Sequence, residues 1–339
     1  MKIYRPFGED FRIGEIQLTI MANAFGLRTS STKGANVELT LADCQKYFKK
    51  SMLKHKEARV VTFANNKGGV GKTVHAYTFA TTACLFGYKV LLIDLDAQMN
   101  LSDIFIEDYE GELPSIMDLY DGKNLRNIAI PIEPGLNFVK SNEEIDVLKE
   151  LFATSAPEKT LNPLNFIRRS LGVVKDEEFI LKNKIDEVRE DFDLIIIDTN
   201  PSIDKVNRSA YFATDHMVIP INPHGFSLSG LPKILPEFIS ARGKAGYPYK
   251  MGDVSILINN PMGSKSFDKF MNEIAEMKEL LIPEVINFMP SLNESFNECL
   301  PIWSNENTQR WELEAVIRLT KSILDKVFGR TERGIEVEL

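Results

Sequence analysis

An apolar run, Val60-Val61-Thr62-Phe63-Ala64, leads into Asn65-Asn66-Lys67-Gly68-Gly69-Val70-Gly71-Lys72-Thr73. A helical stretch then runs from Thr73 to Phe86 and stops at Gly87. A buried strand, a glycine-rich loop and a helix in that order confine the chain to folds that bury the strand in a sheet and leave the loop at its carboxyl end. The glycines let backbone N–H groups close on an anion, and the helix N-terminus adds partial positive charge. The loop therefore reads as a phosphate cradle formed by Lys67, Gly68, Gly69, Val70, Gly71, Lys72 and Thr73. Lys72 is placed to reach β- and γ-phosphates, and the Thr73 hydroxyl to hold Mg²⁺.

The same alternation continues downstream. Further buried strands are expected at Lys89–Ile93, Phe192–Ile197, Met217–Ile221, Val254–Ile258 and Val285–Met289. Near-continuous apolar runs separated by helical patterns indicate a parallel sheet covered on both faces. The fold class is thus α/β: a doubly wound, mostly parallel sheet of the P-loop NTPase kind, with helices on both faces. A last helix is expected from Thr308 to Phe328, burying Trp311, Leu313, Val316, Ile317, Leu319, Ile323, Leu324 and Val327. Residues 107–190 carry little chemical signal.

Residues 1–57 read as a small helical arm ahead of a domain spanning 58–339. A helix is expected from Gly14 to Phe25, a polar loop from Arg28 to Asn36, and a second helix after a capping-box-like Thr40-Leu41-Ala42-Asp43. The arm carries ten Lys/Arg against six Asp/Glu, whereas the whole chain has a net charge of −8. A basic arm on an acidic body limits nucleic-acid contact to local patches. The three cysteines are far apart with no CxxC pair, and the four histidines lack ligand spacing, which argues against a disulfide framework or a zinc knuckle. No apolar run approaches a membrane span and the N-terminus has no signal-peptide core, so a cytoplasmic setting is expected.

The strict phosphate-loop pattern asks for glycine at position 66, where Asn66 stands. Lys67-Gly68-Gly69-Val70-Gly71-Lys72-Thr73 instead resembles the deviant Walker A sequence of the ParA/MinD family of ATPases, with Lys67 as the added lysine. Asp94-Leu95-Asp96-Ala97-Gln98 resembles the family's D-x-D-P-Q segment, with Ala97 for the usual proline. Leu194-Ile195-Ile196-Ile197-Asp198-Thr199-Asn200-Pro201-Ser202 resembles its Walker B strand and D-T-P-P-S switch loop. Asn200 replaces a proline there, a change expected to loosen the switch. Gly135–Asn142 resembles a short family strand after a polar turn.

The resemblance covers roughly residues 58–328 and implies ATP and Mg²⁺ as cofactors. It implies catalytic roles for Lys67, Lys72 and Asp96, with Asp96 positioning the attacking water. It places Thr73, Asp94 and Asp198 around the metal. Lys67 is implied to cross a homodimer interface to the partner's phosphates, adding positive charge where it develops in phosphoryl transfer. Asn259, ending a strand, is either an adenine reader or a turn residue beside Pro261.

The function so implied is ATP-dependent DNA partition. An ATP sandwich dimer binds DNA non-specifically, and a ParB-like centromere-binding protein stimulates hydrolysis. Two alternatives stand beside it: a positioning ATPase for a protein cargo, and a DNA-binding autorepressor with a nucleotide switch. Phosphate-contacting candidates are Arg242, Lys244 and Lys250, with Arg318, Lys321 and Lys326 on the last helix, although each also fits a solvated surface charge. The arm suits a helix-turn-helix operator reader, with its recognition helix in 28–37, or a dimerisation or partner-binding element. The acidic tail 334–339 argues against a membrane-targeting helix.

Overall fold

The computed structural model describes residues 2–3, 7, 11–24, 39–49, 55–107, 113–147, 177–223, 231–259, 264–287 and 289–329. Strands among these are β1 (Lys2–Ile3), β2 (Arg59–Phe63), β3 (Val90–Leu95), β4 (Ile106–Glu107), β5 (Ile130–Glu133), β6 (Leu136–Val139), β7 (Leu194–Thr199), β8 (His216–Ile221) and β9 (Val254–Ile258). The helices are α1 (Glu15–Ala24), α2 (Leu41–Phe48), α3 (Lys72–Leu85), α4 (Asn100–Phe105), α5 (Leu125–Ile128) and α6 (Ile180–Asp186). They continue as α7 (Lys205–Ala213), α8 (Leu231–Lys244), α9 (Ser264–Glu273), α10 (Pro290–Asn297) and α11 (Arg310–Phe328).

Seven strands form one sheet in the order β5-β6-β3-β7-β2-β8-β9, parallel throughout except for the β5–β6 pair. The order turns at β2. The chain passes from it to β3 on one side and later to β8 on the other, so the crevice opens at the carboxyl ends of β2 and its neighbours. Because successive side chains on a strand face opposite ways, the apolar runs feed two cores at once. Val61, Phe63, Val90, Leu92 and Ile196 pack with α3 and α11 on one face. Val60, Leu91, Ile93, Ile195 and Ile197 pack with α6, α7 and α8 on the other.

Five of the expected strands hold within a residue or two, as do the helices at 14–25, 73–86 and 308–328. The expected strand at Val285–Met289 is not one. Pro283 and Pro290 bracket it, and among the described residues Ile286 makes only an isolated parallel bridge to Asn259. With Leu281, which bridges Ile256, it blunts the free edge of β9. β5 is not marked by the sequence pattern, and its Pro131 is tolerated because an edge strand leaves one row of N–H positions unused. Trp311, expected in the core, is 45% exposed on α11.

The described residues of the arm share the core of the larger domain. Thr40 caps α2 through the expected reciprocal pairing with Asp43. Phe7, Phe11, Ile13, Met21, Leu41, Cys44 and Phe48 are buried in the cluster that contains α3 and α11. Phe48 lies 5.4 Å from Phe86 between ring centroids, and Gln45 Nε2 donates to the carbonyls of Cys84 and Pro134. The recognition helix proposed for 28–37 lies outside the described residues, as does the tail 334–339. No helix among the described residues is long and apolar enough to cross a membrane.

Candidate nucleotide-binding site

Loop 64–71 leaves the end of β2 and enters α3 through Gly71, whose φ is +87°. That left-handed conformation costs a side-chain-bearing residue free energy, and a Cβ here would also sit 2.8 Å from Asn259 Nδ2. Gly71→Ala is therefore expected to lower stability by about 1–3 kcal/mol and to deform the loop. Thermal melting together with nucleotide binding measures this. A variant equal to the wild type in both would refute the assigned conformation.

Three asparagines hold the loop open. Asn65 Nδ2 donates to Pro220 O at 2.7 Å, and its Oδ1 accepts from Lys67 N at 3.1 Å. Asn222 Nδ2 donates to Gly69 O at 3.2 Å, and Asn259 Nδ2 to Val70 O at 3.1 Å. Asn65 takes up the Lys67 N–H, and tying the Gly69 and Val70 carbonyls to carboxamides turns the following N–H groups toward an anion. Asn259 thus supports the loop with the amide that the adenine-reader expectation would have used. Asn65 and Asn222 were missed, since nothing local in the sequence marks a contact made across the sheet.

Lys67 is exposed at the mouth of the loop, whereas Lys72 is 7% exposed. Burial pulls the Lys72 pKa down, and the charges of Asp198 and Asp96 pull it back. Asp94 and Asp198 are lateral neighbours in the β3–β7 register. Their surroundings differ. Asp94 accepts from Asp96 N (3.0 Å), Ser102 N (2.9 Å) and the Ser102 hydroxyl (2.7 Å). Burial pushes its pKa up to about 7 despite those hydrogen bonds. Asp94, implied to stand near the metal, has its carboxylate engaged in fastening the β3 turn to the start of α4. Ser102, which also accepts from Ser141 N, is a support the sequence reading did not find.

Asp198 is 1% exposed, and neither carboxylate oxygen has a hydrogen-bond partner. Burial first, and then the charge of Asp94, raise its pKa well above the ordinary value. The Thr73 hydroxyl and Lys72 oppose that rise, the hydroxyl from nearby without reaching hydrogen-bond geometry. A buried carboxylate with both oxygens unpartnered, beside a hydroxyl, suits a hydrated divalent cation. Asp96 is 8% exposed at the same strand edge, its Oδ1 accepting from Gln98 N. The Thr199 hydroxyl donates to Phe63 O at 2.9 Å, which aligns the ends of β7 and β2.

The switch loop differs from expectation. Asn200 Oδ1 accepts from Ser202 N and Asn207 Nδ2, each at 3.0 Å, and Asn207 also donates to the carbonyls of Asn200 and Ser202. The residue expected to loosen the loop instead binds it to the first turns of α7.

Of the six basic candidates, Arg242 is a structural residue. It is 9% exposed, donates to Thr214 O at 2.6 Å and pairs with Asp253 at 3.1 Å. Lys321 pairs with Asp325 at 2.6 Å and Arg318 with Glu314 at 3.7 Å, while Lys326 donates to Glu279 O. Lys244 and Lys250 are exposed. Of the six, Arg242 is buried and paired with Asp253, while Lys244 and Lys250 present their charges to solvent.

An AAA domain family model, AAA_31, matches residues 58–244. An uncharacterized protein of Methanocaldococcus jannaschii is 34% identical over 181 residues, 52% of this chain and 63% of that protein. The sporulation initiation inhibitor protein Soj of Bacillus subtilis is 28% identical over 180 residues, again 52% and 63%. The match spans less than two thirds of either relative's length. Among solved structures, apo McdA of Cyanothece superposes with a TM-score of 0.62 at 18% identity, over 78% of this chain and 99% of that one, a likeness of fold. The loop, the two aspartate-bearing strand ends and the matched span converge on one conclusion: the chain belongs to the ParA/MinD family of P-loop ATPases.

Proposed function

We propose that this chain is a ParA-type partition ATPase that binds Mg²⁺-ATP as a face-to-face homodimer, engages DNA non-specifically in that state, and is reset by hydrolysis that a ParB-like centromere-binding partner stimulates. The observation that carries the reading is the pair of lysines on one loop, Lys72 buried against two carboxylates and Lys67 exposed at the mouth. A single nucleotide site needs the first; the second has no acidic partner among the described residues and is placed to reach a nucleotide held by another subunit.

Thr73 and Asp198 would hold Mg²⁺, which when bound supplies positive charge against the phosphates. The loop N–H groups and Lys72 bind and orient the triphosphate. Asp96, at the edge of β3, positions a water; next to a polyanion it serves better to orient than to abstract a proton. Lys67 adds its charge from the opposite protomer, as an arginine finger does. DNA contact falls to Lys244 and Lys250, and further lysines must leave existing pairings to join them.

The test is ATP turnover with and without non-specific DNA, alongside DNA binding in ATP and ADP at rising salt. ATP-dependent, salt-sensitive binding with slow, DNA-responsive turnover is expected. Hydrolysis with no DNA response in either assay would overturn the DNA half of the reading and point to a protein cargo. Lys67→Ala is expected to keep nucleotide binding and to lose roughly 10³-fold or more in turnover, the scale of a missing trans-acting cation. Wild-type turnover in that variant would remove Lys67 from the reaction.

A further inference from the structure

Where the family's usual switch loop has proline, this chain places a buried amide, and one of its groups is left over. Asn200 is 4% exposed and stands two residues after Asp198, immediately past the end of β7. Its Oδ1 accepts from Ser202 N and Asn207 Nδ2, and the Ser202 hydroxyl lies against it as well. That set of donors fixes the amide's orientation, because rotating it by half a turn would oppose NH₂ to N–H groups. Asn200 Nδ2 then has no acceptor among the described residues. A buried donor without an acceptor is uncommon in a native fold, and such a group often marks where a ligand completes the bonding.

The neighbouring orphan is complementary. Asp198 carries two unpartnered acceptor oxygens and lacks a cation; Asn200 carries an unpartnered donor and lacks an acceptor. A magnesium-bound triphosphate supplies both deficits at once, a metal ion for the carboxylate and phosphoryl oxygens for the amide. We propose that Asn200 is a positioning residue for the terminal phosphoryl group, its Nδ2 donating to a γ-phosphate oxygen. The inference rests on the nucleotide reading given above. Proline in its place has no N–H to offer. Because Asn207 holds the other side of the same amide, γ-phosphate binding is transmitted through Asn200 to α7, so the switch loop distinguishes ATP from ADP.

The experiment measures equilibrium affinity of the full-length protein for a non-hydrolysable ATP analogue and for ADP, both with Mg²⁺. It compares wild type, Asn200→Ala, Asn200→Asp and Asn207→Ala, with nucleotide-free melting recorded for each. Asn200→Ala is expected to weaken the analogue by roughly ten-fold or more and ADP by less than about two-fold, the size of one hydrogen bond to a charged group. Asn207→Ala loosens the loop without removing the donor, so it is expected to shift both nucleotides together. Asn200→Asp keeps the accepted hydrogen bonds and the shape while replacing the donor, and is expected to lose the analogue selectively, with nucleotide-free melting showing that each variant compared is folded. An unchanged analogue-to-ADP ratio in either Asn200 variant overturns the inference, as does an equal change of ratio in Asn207→Ala. Absence of any nucleotide binding by the wild type overturns the parent reading instead, and with it this one.

Discussion

Deletion of residues 1–57 is expected to leave a chain that aggregates or melts far below the full-length protein. The described part of the arm contributes Phe7, Phe11, Ile13, Leu18, Ile20, Met21, Leu41, Cys44 and Phe48 to the core cluster that holds α3 and α11. Fully burying one large apolar side chain contributes about 1.5–3 kcal/mol, while a whole domain is stable by only ~5–15 kcal/mol. Losing even a few of these contacts therefore approaches the total. The truncation also strips partners from α3, the helix whose N-terminus forms the phosphate loop. Phe86 loses Phe48, and Cys84 O and Pro134 O lose Gln45. The effect should reach nucleotide binding as well as solubility. Size-exclusion chromatography and thermal melting of the truncated and full-length chains measure it. A soluble truncation melting within a few degrees of the parent would show that the arm is a separable module, as its polar loop and basic charge first suggest.

That contrast shows what the sequence can and cannot convey. The sheet was legible because a doubly covered parallel strand is apolar on both faces, so Leu194–Ile197 and Val90–Ile93 read as unbroken runs. Edges were not legible. Val285–Met289 is as apolar as a strand but is bracketed by prolines and only grazes β9. Ile130–Glu133 contains a proline and is a strand all the same. In the site, Lys67, Gly71, Lys72, Thr73, Asp96 and Asp198 carry their meaning in fixed local spacing. The asparagine clamps do not, because Asn65, Asn222 and Asn259 meet at the loop only after β2, β8 and β9 are laid side by side. Single residue types were the weakest guide. Arg242 looked like a phosphate contact and is buried on Asp253; Trp311 looked like core and faces solvent; Asn200 looked like a looser proline and ties its loop to Asn207.

Asp198→Asn is expected to make the nucleotide-free protein more stable while removing its response to Mg²⁺-ATP. In the free chain a carboxylate is buried with both oxygens unpartnered beside a second buried carboxylate, and burial raises its pKa well above the ordinary value. The sign follows from linkage. An acid whose pKa is higher in the folded state than in the unfolded state binds protons preferentially when folded. Its ionisation therefore lowers stability as pH rises above the unfolded value of about 4. Asparagine, nearly isosteric and neutral, removes that cost, so the gain should be absent near pH 4 and grow toward pH 8. Loss of the counter-charge to Lys72 subtracts from the gain, but Asp96 remains beside that lysine. A net increase of about 1–3 kcal/mol is expected at pH 8, the scale of one uncompensated buried polar group. With ligand the gap closes from the other side. The wild type should gain about 2.7 kcal/mol at a hundred-fold excess of Mg²⁺-ATP over its dissociation constant. The variant, lacking the carboxylate proposed above to hold the cation with Thr73, should gain little. Melting curves at pH 4 and pH 8, with and without Mg²⁺-ATP, separate the two effects. A variant less stable than the wild type at pH 8 without ligand would place a satisfied, structural carboxylate at 198. An undiminished Mg²⁺-ATP shift would move the cation to other residues. The combination expected here, a site residue whose removal strengthens the empty fold, is the signature of a charge kept buried for a ligand.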